Sequence, residues 1–221
     1  MARAMEFAFY DLDGTITRRA TYTPFLWFAA GLVAPVRRIF LPVWIGAMIV
    51  YKLGIISRGQ LKSFGMKLFV PLAKMDRLPS VGEAFATRLV ERDGFNKPVV
   101  AQLERDRKDG RVVVVATAAF AFYAGPIARS LGIADVIGTR WQGRAMDGHN
   151  CYGAEKLARV EQWLAGRETS LDEARTRMIT DSFADRPLMA RVDEAVFVTA
   201  SASQAARAKR LGWSVLHPSK D

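Results

Sequence analysis

Phe7-Ala8-Phe9-Tyr10-Asp11-Leu12-Asp13-Gly14-Thr15 is the stretch on which the reading of this chain turns. A short apolar run ending in an acid predicts a buried strand over 7–10. Asp11 and Asp13 follow two residues apart, and Gly14 lets the chain leave the strand sharply. Two carboxylates just past a strand end can share one site, where one attacks phosphorus and the other handles protons. The same letters also fit a solvated Asp-x-Asp-Gly turn, so the surrounding sequence has to decide.

Further strand-like runs lie downstream. Arg111 to Ala116 is rich in β-branched residues and predicts a strand ending at Thr117. Arg177 to Thr180 leads to Asp181, Ala195 to Val198 leads to Thr199, and Trp213 to Leu216 is a last strand. Helical stretches fall between them, over 99–108, 124–131, 155–164 and 203–211. Gly110, Gly132 and Gly212 stand where helices should stop. Residues 139–151 predict a small hairpin or loop excursion. Apolar strands alternating with amphipathic helices predict an α/β fold, a parallel sheet covered on both faces. Functional groups in such sheets gather at the carboxyl ends of strands, which here carry Asp11, Thr117 and Asp181.

Composition narrows the class. Half of the 221 residues are hydrophobic and 24% are charged, which excludes a disordered chain. A single cysteine, Cys151, excludes an internal disulfide and a multi-thiolate metal site, and fits a reducing compartment. Two histidines, His149 and His217, cannot build a His-rich metal site. Met1 to Glu6 runs straight into the first strand, so no signal peptide is evident. The net charge of +10 is concentrated: residues 18–97 hold 13 Lys+Arg against 4 Asp+Glu, and the rest holds 19 against 18. That basic segment is also the most apolar, uncharged over 20–36 and 39–51 with Arg37-Arg38 between.

Four motifs in order give the chain a resemblance to the haloacid-dehalogenase-like (HAD) phosphatases. Asp11-Leu12-Asp13-Gly14-Thr15 matches their first motif, and the strand ending at Thr117 matches their second. Lys156, in Tyr152-Gly153-Ala154-Glu155-Lys156, matches the helix-opening lysine. Asp181-Ser182-Phe183-Ala184-Asp185 matches the terminal acidic pair. The resemblance covers the whole chain and implies a Rossmann-like parallel sheet sandwiched by helices. It is most similar to the phosphoserine-phosphatase-like subgroup, which carries an α-helical cap after the first motif. The implied division is a catalytic core over 1–17 and 98–221 and a helical cap over 18–97.

The resemblance also implies roles. Asp11 would be the nucleophile that forms an aspartyl-phosphate, and Asp13 the acid and base. The Thr117 hydroxyl, the Ala118 backbone and Lys156 would bind the phosphate. Mg²⁺ would be held by Asp11, the Asp13 carbonyl and Asp181, with Asp185 supporting the metal or orienting Lys156. Read by residue alone, Thr117 also fits an ordinary strand end, Lys156 a solvated helix lysine, and Asp181 and Asp185 helix caps beside Pro187. Two departures stand out. Ala20, after Arg18 and Arg19, occupies the place where phosphoserine phosphatases carry an acid for the substrate ammonium group. Ala119 replaces a serine that many relatives carry.

The cap is aromatic and apolar through Phe25–Phe28 and Phe40–Ile49. Those residues fit either the cap's own core or contact with lipid. The stretches are too short or too broken by Pro24, Gly31 and Pro35 to span a bilayer. Interfacial placement is the expectation, with Arg37, Arg38, Lys52, Arg58, Lys62 and Lys67 near anionic headgroups. Some bacterial phosphatidylglycerophosphatases are similar, with a HAD core and an apolar cap. The expected substrate is therefore a phosphorylated small molecule or lipid phosphate. The expected location is cytoplasmic, with peripheral contact on the inner face of the cell membrane. A soluble metabolite phosphatase and a non-catalytic phospho-ligand binder are the alternatives. Nucleic acid is not an expected partner, because the basic residues sit among apolar runs.

Overall fold

The computed structural model describes residues 5–219. Met1 to Ala4, on which the reading of the chain start partly rests, lie outside the described residues. In chain order, β1 (Glu6–Tyr10) is followed by five helices: α1 (Tyr22–Val33), α2 (Leu41–Lys52), α3 (Arg58–Phe69), α4 (Leu78–Glu91) and α5 (Lys97–Lys108). Then come β2 (Val112–Phe120), α6 (Ala121–Ser130), β3 (Asp135–Gln142), β4 (Ala145–Asp147) and α7 (Ala154–Ala165). The chain closes with β5 (Arg175–Thr180), α8 (Arg186–Met189), β6 (Glu194–Val198), α9 (Ala202–Arg210) and β7 (Ser214–Leu216).

The described residues form one seven-stranded sheet in the order β4-β3-β2-β1-β5-β6-β7, parallel except for β4. β1 lies at its centre, between β2 and β5. That position explains its unbroken apolar sequence: Phe7, Ala8, Phe9 and Tyr10 are all buried, because both faces of the strand are covered. Phe7 and Phe9 pack edge-on to Trp163 of α7 on one face.

Two expectations need correction. β2 does not stop at Thr117 but runs to Phe120, with a register shift against β3 between Ala116 and Phe120. Thr117 is therefore inside an irregular strand end. β3 was not expected as a strand beyond the 139–151 excursion. Its first half pairs parallel to β2, while Arg140–Gln142 turns away to pair antiparallel with β4. A strand that changes neighbour halfway, from the buried β2 to the edge strand β4, loses the continuous apolar run that would mark it.

The helices α1 to α4 leave and re-enter at one point beside β1. Arg18 N donates to Gly94 O at 3.0 Å, and Asn96 N donates to Ile16 O at 2.8 Å. Of these, α1 and α4 pack on α6: Phe25 stacks on Tyr123 with ring centroids 4.6 Å apart, and Phe85 meets Phe25 edge-on at 5.4 Å. At Gly82 of α4 a Cβ would lie 2.2 Å from Phe122 O, so only glycine permits this approach. The aromatic residues of the segment thus divide. Phe25, Leu26 and Trp44 are buried, whereas Trp27, Phe40, Val43, Ile45 and Ile49 are exposed. No helix among the described residues is long and apolar enough to cross a membrane.

Candidate active site

At the carboxyl end of β1 the chain winds through one wide turn over Leu12–Ile16. Asp11 accepts from Leu12 N at 2.9 Å, and Thr17 N reaches back to Leu12 O. Gly14 has φ +75°, and a Cβ there would sit 2.2 Å from Asp181 Oδ2. The Asp181 carboxylate occupies the space a side chain would need. We expect Gly14→Ala to cost about 1–3 kcal/mol through left-handed backbone strain, read as a lower melting temperature. It should also reduce turnover, because Asp181 must move.

Asp11, Asp13, Thr117, Ala118, Lys156, Asp181 and Asp185 line one cavity of about 250 Å³. They come from three strand ends and α7, so the sheet brings together residues 174 positions apart. Lys156 Nζ is 2.7 Å from Asp185 Oδ2 and 3.2 Å from Asp11 Oδ1, and its side chain is 1% exposed. Burial by itself would depress the ammonium. The charges of Asp11 and Asp185 outweigh it and hold Lys156 above the ordinary lysine range. Thr180 Oγ1 donates to Asp185 Oδ2 at 2.7 Å.

The other acids are also held. Thr15 Oγ1 accepts from Asp181 N at 2.9 Å and donates to Asp181 Oδ1 at 3.2 Å. Burial, with the Asp11 charge, pushes Asp181 up to about 7. Asp13 Oδ1 accepts from Thr21 N at 2.7 Å and Thr21 Oγ1 at 2.6 Å. Even so, burial leaves Asp13 raised, against those hydrogen bonds. On the second motif, Ala119 N donates to Thr117 Oγ1 at 3.0 Å, which leaves the hydroxyl hydrogen free to point elsewhere. Ala20 lines the cavity, so no carboxylate stands at that place. Ser182 also lines it, and its Oγ accepts from Ala184 N.

The donor set can be tested against Mg²⁺. No group of three or more His, Cys, Asp or Glu side chains converges among the described residues. An ion would therefore rest on two carboxylates, Asp11 and Asp181, with a backbone carbonyl and waters. Two observations fit it. The Asp181 carboxyl is raised partly by the neighbouring Asp11 charge, a repulsion that a cation relieves. Asp185 Oδ1 is buried without a hydrogen-bond partner.

Two cations were misplaced by sequence reasoning. Lys62 is not at a lipid surface: it is 5% exposed, donates to Ala118 O and to Asn150 Oδ1 (2.9 Å), and lies over the Phe120 ring at 4.2 Å. Thr139 Oγ1 donates to the same Ala118 oxygen at 2.7 Å. Burial, with Arg58 nearby, pushes the Lys62 ammonium down to about 7. Arg58 stacks over Tyr152 at 4.4 Å and lines the cavity. The signal for Lys62 was its spacing, since it shares the buried stripe of α3 with Leu61, Gly65, Met66 and Phe69. A second cavity of about 330 Å³ adjoins the first through Asp13, Arg58 and Ala118. Tyr22, Trp44, Met48, Tyr51, Leu61 and Tyr123 line it.

The remaining candidates are structural. Cys151 is buried, and burial pushes its thiol up to about 11, the opposite of an activated nucleophile. His217 Nδ1 meets Thr199 O at 3.0 Å, away from the cavity.

Known proteins share this fold. The chain is 28% identical over 202 residues to protein CicA of Caulobacter vibrioides, covering 84% of this chain and 82% of that protein. A protein of unknown function from Bordetella pertussis Tohama I superposes with a TM-score of 0.79 at 27% identity, over 97% of this chain and 99% of the other. A phosphoserine phosphatase solved as a phospho-aspartyl intermediate analogue shares the fold at 14% identity, with a TM-score of 0.63 over 99% and 96% of the chains. Residues 8–190 match the haloacid dehalogenase-like hydrolases, and the chain belongs to that family.

Proposed function

We propose that the protein is a Mg²⁺-dependent phosphomonoester hydrolase whose substrate carries its phosphate on an apolar, lipid-like group. The segment 18–97 acts as the cap over a core formed by 1–17 and 98–221. One observation carries the substrate reading: the acidic and cationic cavity shares Asp13, Arg58 and Ala118 with the aromatic cavity under α2, so the two lie side by side. A phosphate in the first places its leaving group in the second.

The side chains divide the work. Both contacts of Asp11 fall on Oδ1, and we assign Oδ2 to attack. The new O–P bond forms as the bond to the leaving oxygen breaks, and Asp13 gives that oxygen its proton. The raised Asp13 carboxyl suits this step. Asp13 then takes a proton from water as the water oxygen attacks phosphorus and releases Asp11. Lys156, the Thr117 hydroxyl and the Ala118 N–H neutralise the phosphate oxygens. Asp185 holds Lys156 in place. Bound Mg²⁺ would supply charge neutralisation at the phosphate, held by Asp11, Asp181 and the Asp13 carbonyl. A chelator should abolish turnover, and Mg²⁺ should restore it.

A panel of phosphomonoesters with Mg²⁺ tests the substrate class. Lysophosphatidate and phosphatidylglycerophosphate in detergent micelles should exceed phosphoserine in kcat/KM by at least about tenfold. That is the worth of burying about two methylenes at ~0.8 kcal/mol each. Equal or lower values would refute the apolar substrate and leave a soluble metabolite phosphatase. Ala20 already argues against phosphoserine, since nothing at that place pairs an ammonium group.

A further inference from the structure

We infer that the outward face of α2, with the turns on either side of it, seats the protein on an anionic lipid bilayer. This deepens the reading of an apolar phosphate substrate and rests on it. α2 is apolar all round, which a surface helix rarely is. Trp44, Met48 and Tyr51, at spacings of four and three, face the aromatic cavity. Ile45, Ile49 and Leu53, four apart, lie on the opposite side and are exposed. Val36 (78% exposed) and Ile39 (73%) before the helix, and Leu53 (69%) and Ile55 (70%) after it, are more exposed still. Exposed aliphatic residues grouped along one stretch of chain mark an interaction surface.

Charge identifies the occupant. Residues 14–75 contain no Asp or Glu, and nine Lys or Arg. Lys52, Lys67 and Lys74 are exposed. Arg37 and Arg38 spend hydrogen bonds on backbone carbonyls, which leaves their charge without a carboxylate from this segment. A second copy of the chain would set two such acid-free basic segments face to face. An anionic bilayer complements both features, taking the aliphatic side chains into its interface and the cations at its headgroups. The helix lies in that interface rather than through it, since no described helix is long enough to span. Its inner side walls the cavity that leads to Asp13. A lipid phosphate then passes from the bilayer past α2 to the carboxylates.

Co-sedimentation with vesicles tests this. The protein should bind phosphatidylcholine–phosphatidylglycerol vesicles, bind phosphatidylcholine alone far less, and detach as salt rises. Val36→Glu/Ile39→Glu should weaken vesicle binding at least about tenfold, with Mg²⁺-dependent hydrolysis of a soluble aryl phosphate unchanged. Absence of vesicle binding, or a double variant that binds like the parent, would overturn the inference. So would a parent dimer that the double variant splits into monomers, because the face would then join two copies. Failure of docking is separable from failure of the substrate reading. Preference for lipid phosphates in micelles without vesicle binding sinks docking alone. Vesicle binding without that preference sinks the apolar substrate alone.

Discussion

Asp11→Asn should abolish Mg²⁺-dependent hydrolysis of an aryl phosphate, by at least about a thousandfold in kcat, with the fold intact. The amide can still accept from Leu12 N, so the turn after β1 keeps its hydrogen bond. Lys156 keeps Asp185 as partner. The substitution also removes one of the charges that raise Asp181 and Asp13. Stability should therefore hold or rise, with a melting temperature no more than about 3 °C below the parent. Loss of turnover together with loss of folding would mean that Asp11 is structural. Retained turnover would remove it as nucleophile.

Lys156→Met should do the reverse, losing activity and stability together. It leaves Asp185 and Asp11 buried without their cation, at a cost of about 3–5 kcal/mol. The pH dependence separates this from a packing defect. In the parent, Lys156 titrates above its ordinary range, so the pair's contribution is full at neutral pH and fades only in strong alkali. In the variant, a buried Asp185 without a cation titrates higher, so its penalty shrinks as pH falls and the carboxyl takes up a proton. Chemical denaturation at neutral pH and in mild acid should show the gap narrowing in acid. A gap independent of pH would argue that Lys156 matters for shape alone.

Much of this was legible in the sequence because it follows from local pattern. A central strand covered on both faces must be apolar throughout, and Phe7–Tyr10 is. Groups at strand ends converge whatever the loops do, so Asp11, Thr117 and Asp181 could be named from their positions, whereas Lys156 and Asp185 followed from the family resemblance. What escaped depends on tertiary geometry. β3 has mixed character because its second half leaves β2 to pair with the edge strand β4. The end of β2 bends inside its own strand, so Thr117 carries no terminator after it. Lys62 looked like one more cation in a basic segment. Its burial follows from the rotation of α3 against the core, which places Lys62 between Ala118 and Asn150. The apolar residues of α2 were legible as a set. Their division into a cavity wall and an exposed face appears only once the helix is packed.

The most direct test of the whole account is to look for the phosphoryl group on the protein. Enzyme mixed with Mg²⁺ and an aryl phosphate, quenched in acid within a turnover and digested, should yield one phosphorylated peptide. It should contain Asp11, with the group placed on that residue by fragment masses, and it should be absent from Asp11→Asn. Steady turnover with no covalent phosphate, or with the group on another residue, would contradict the account.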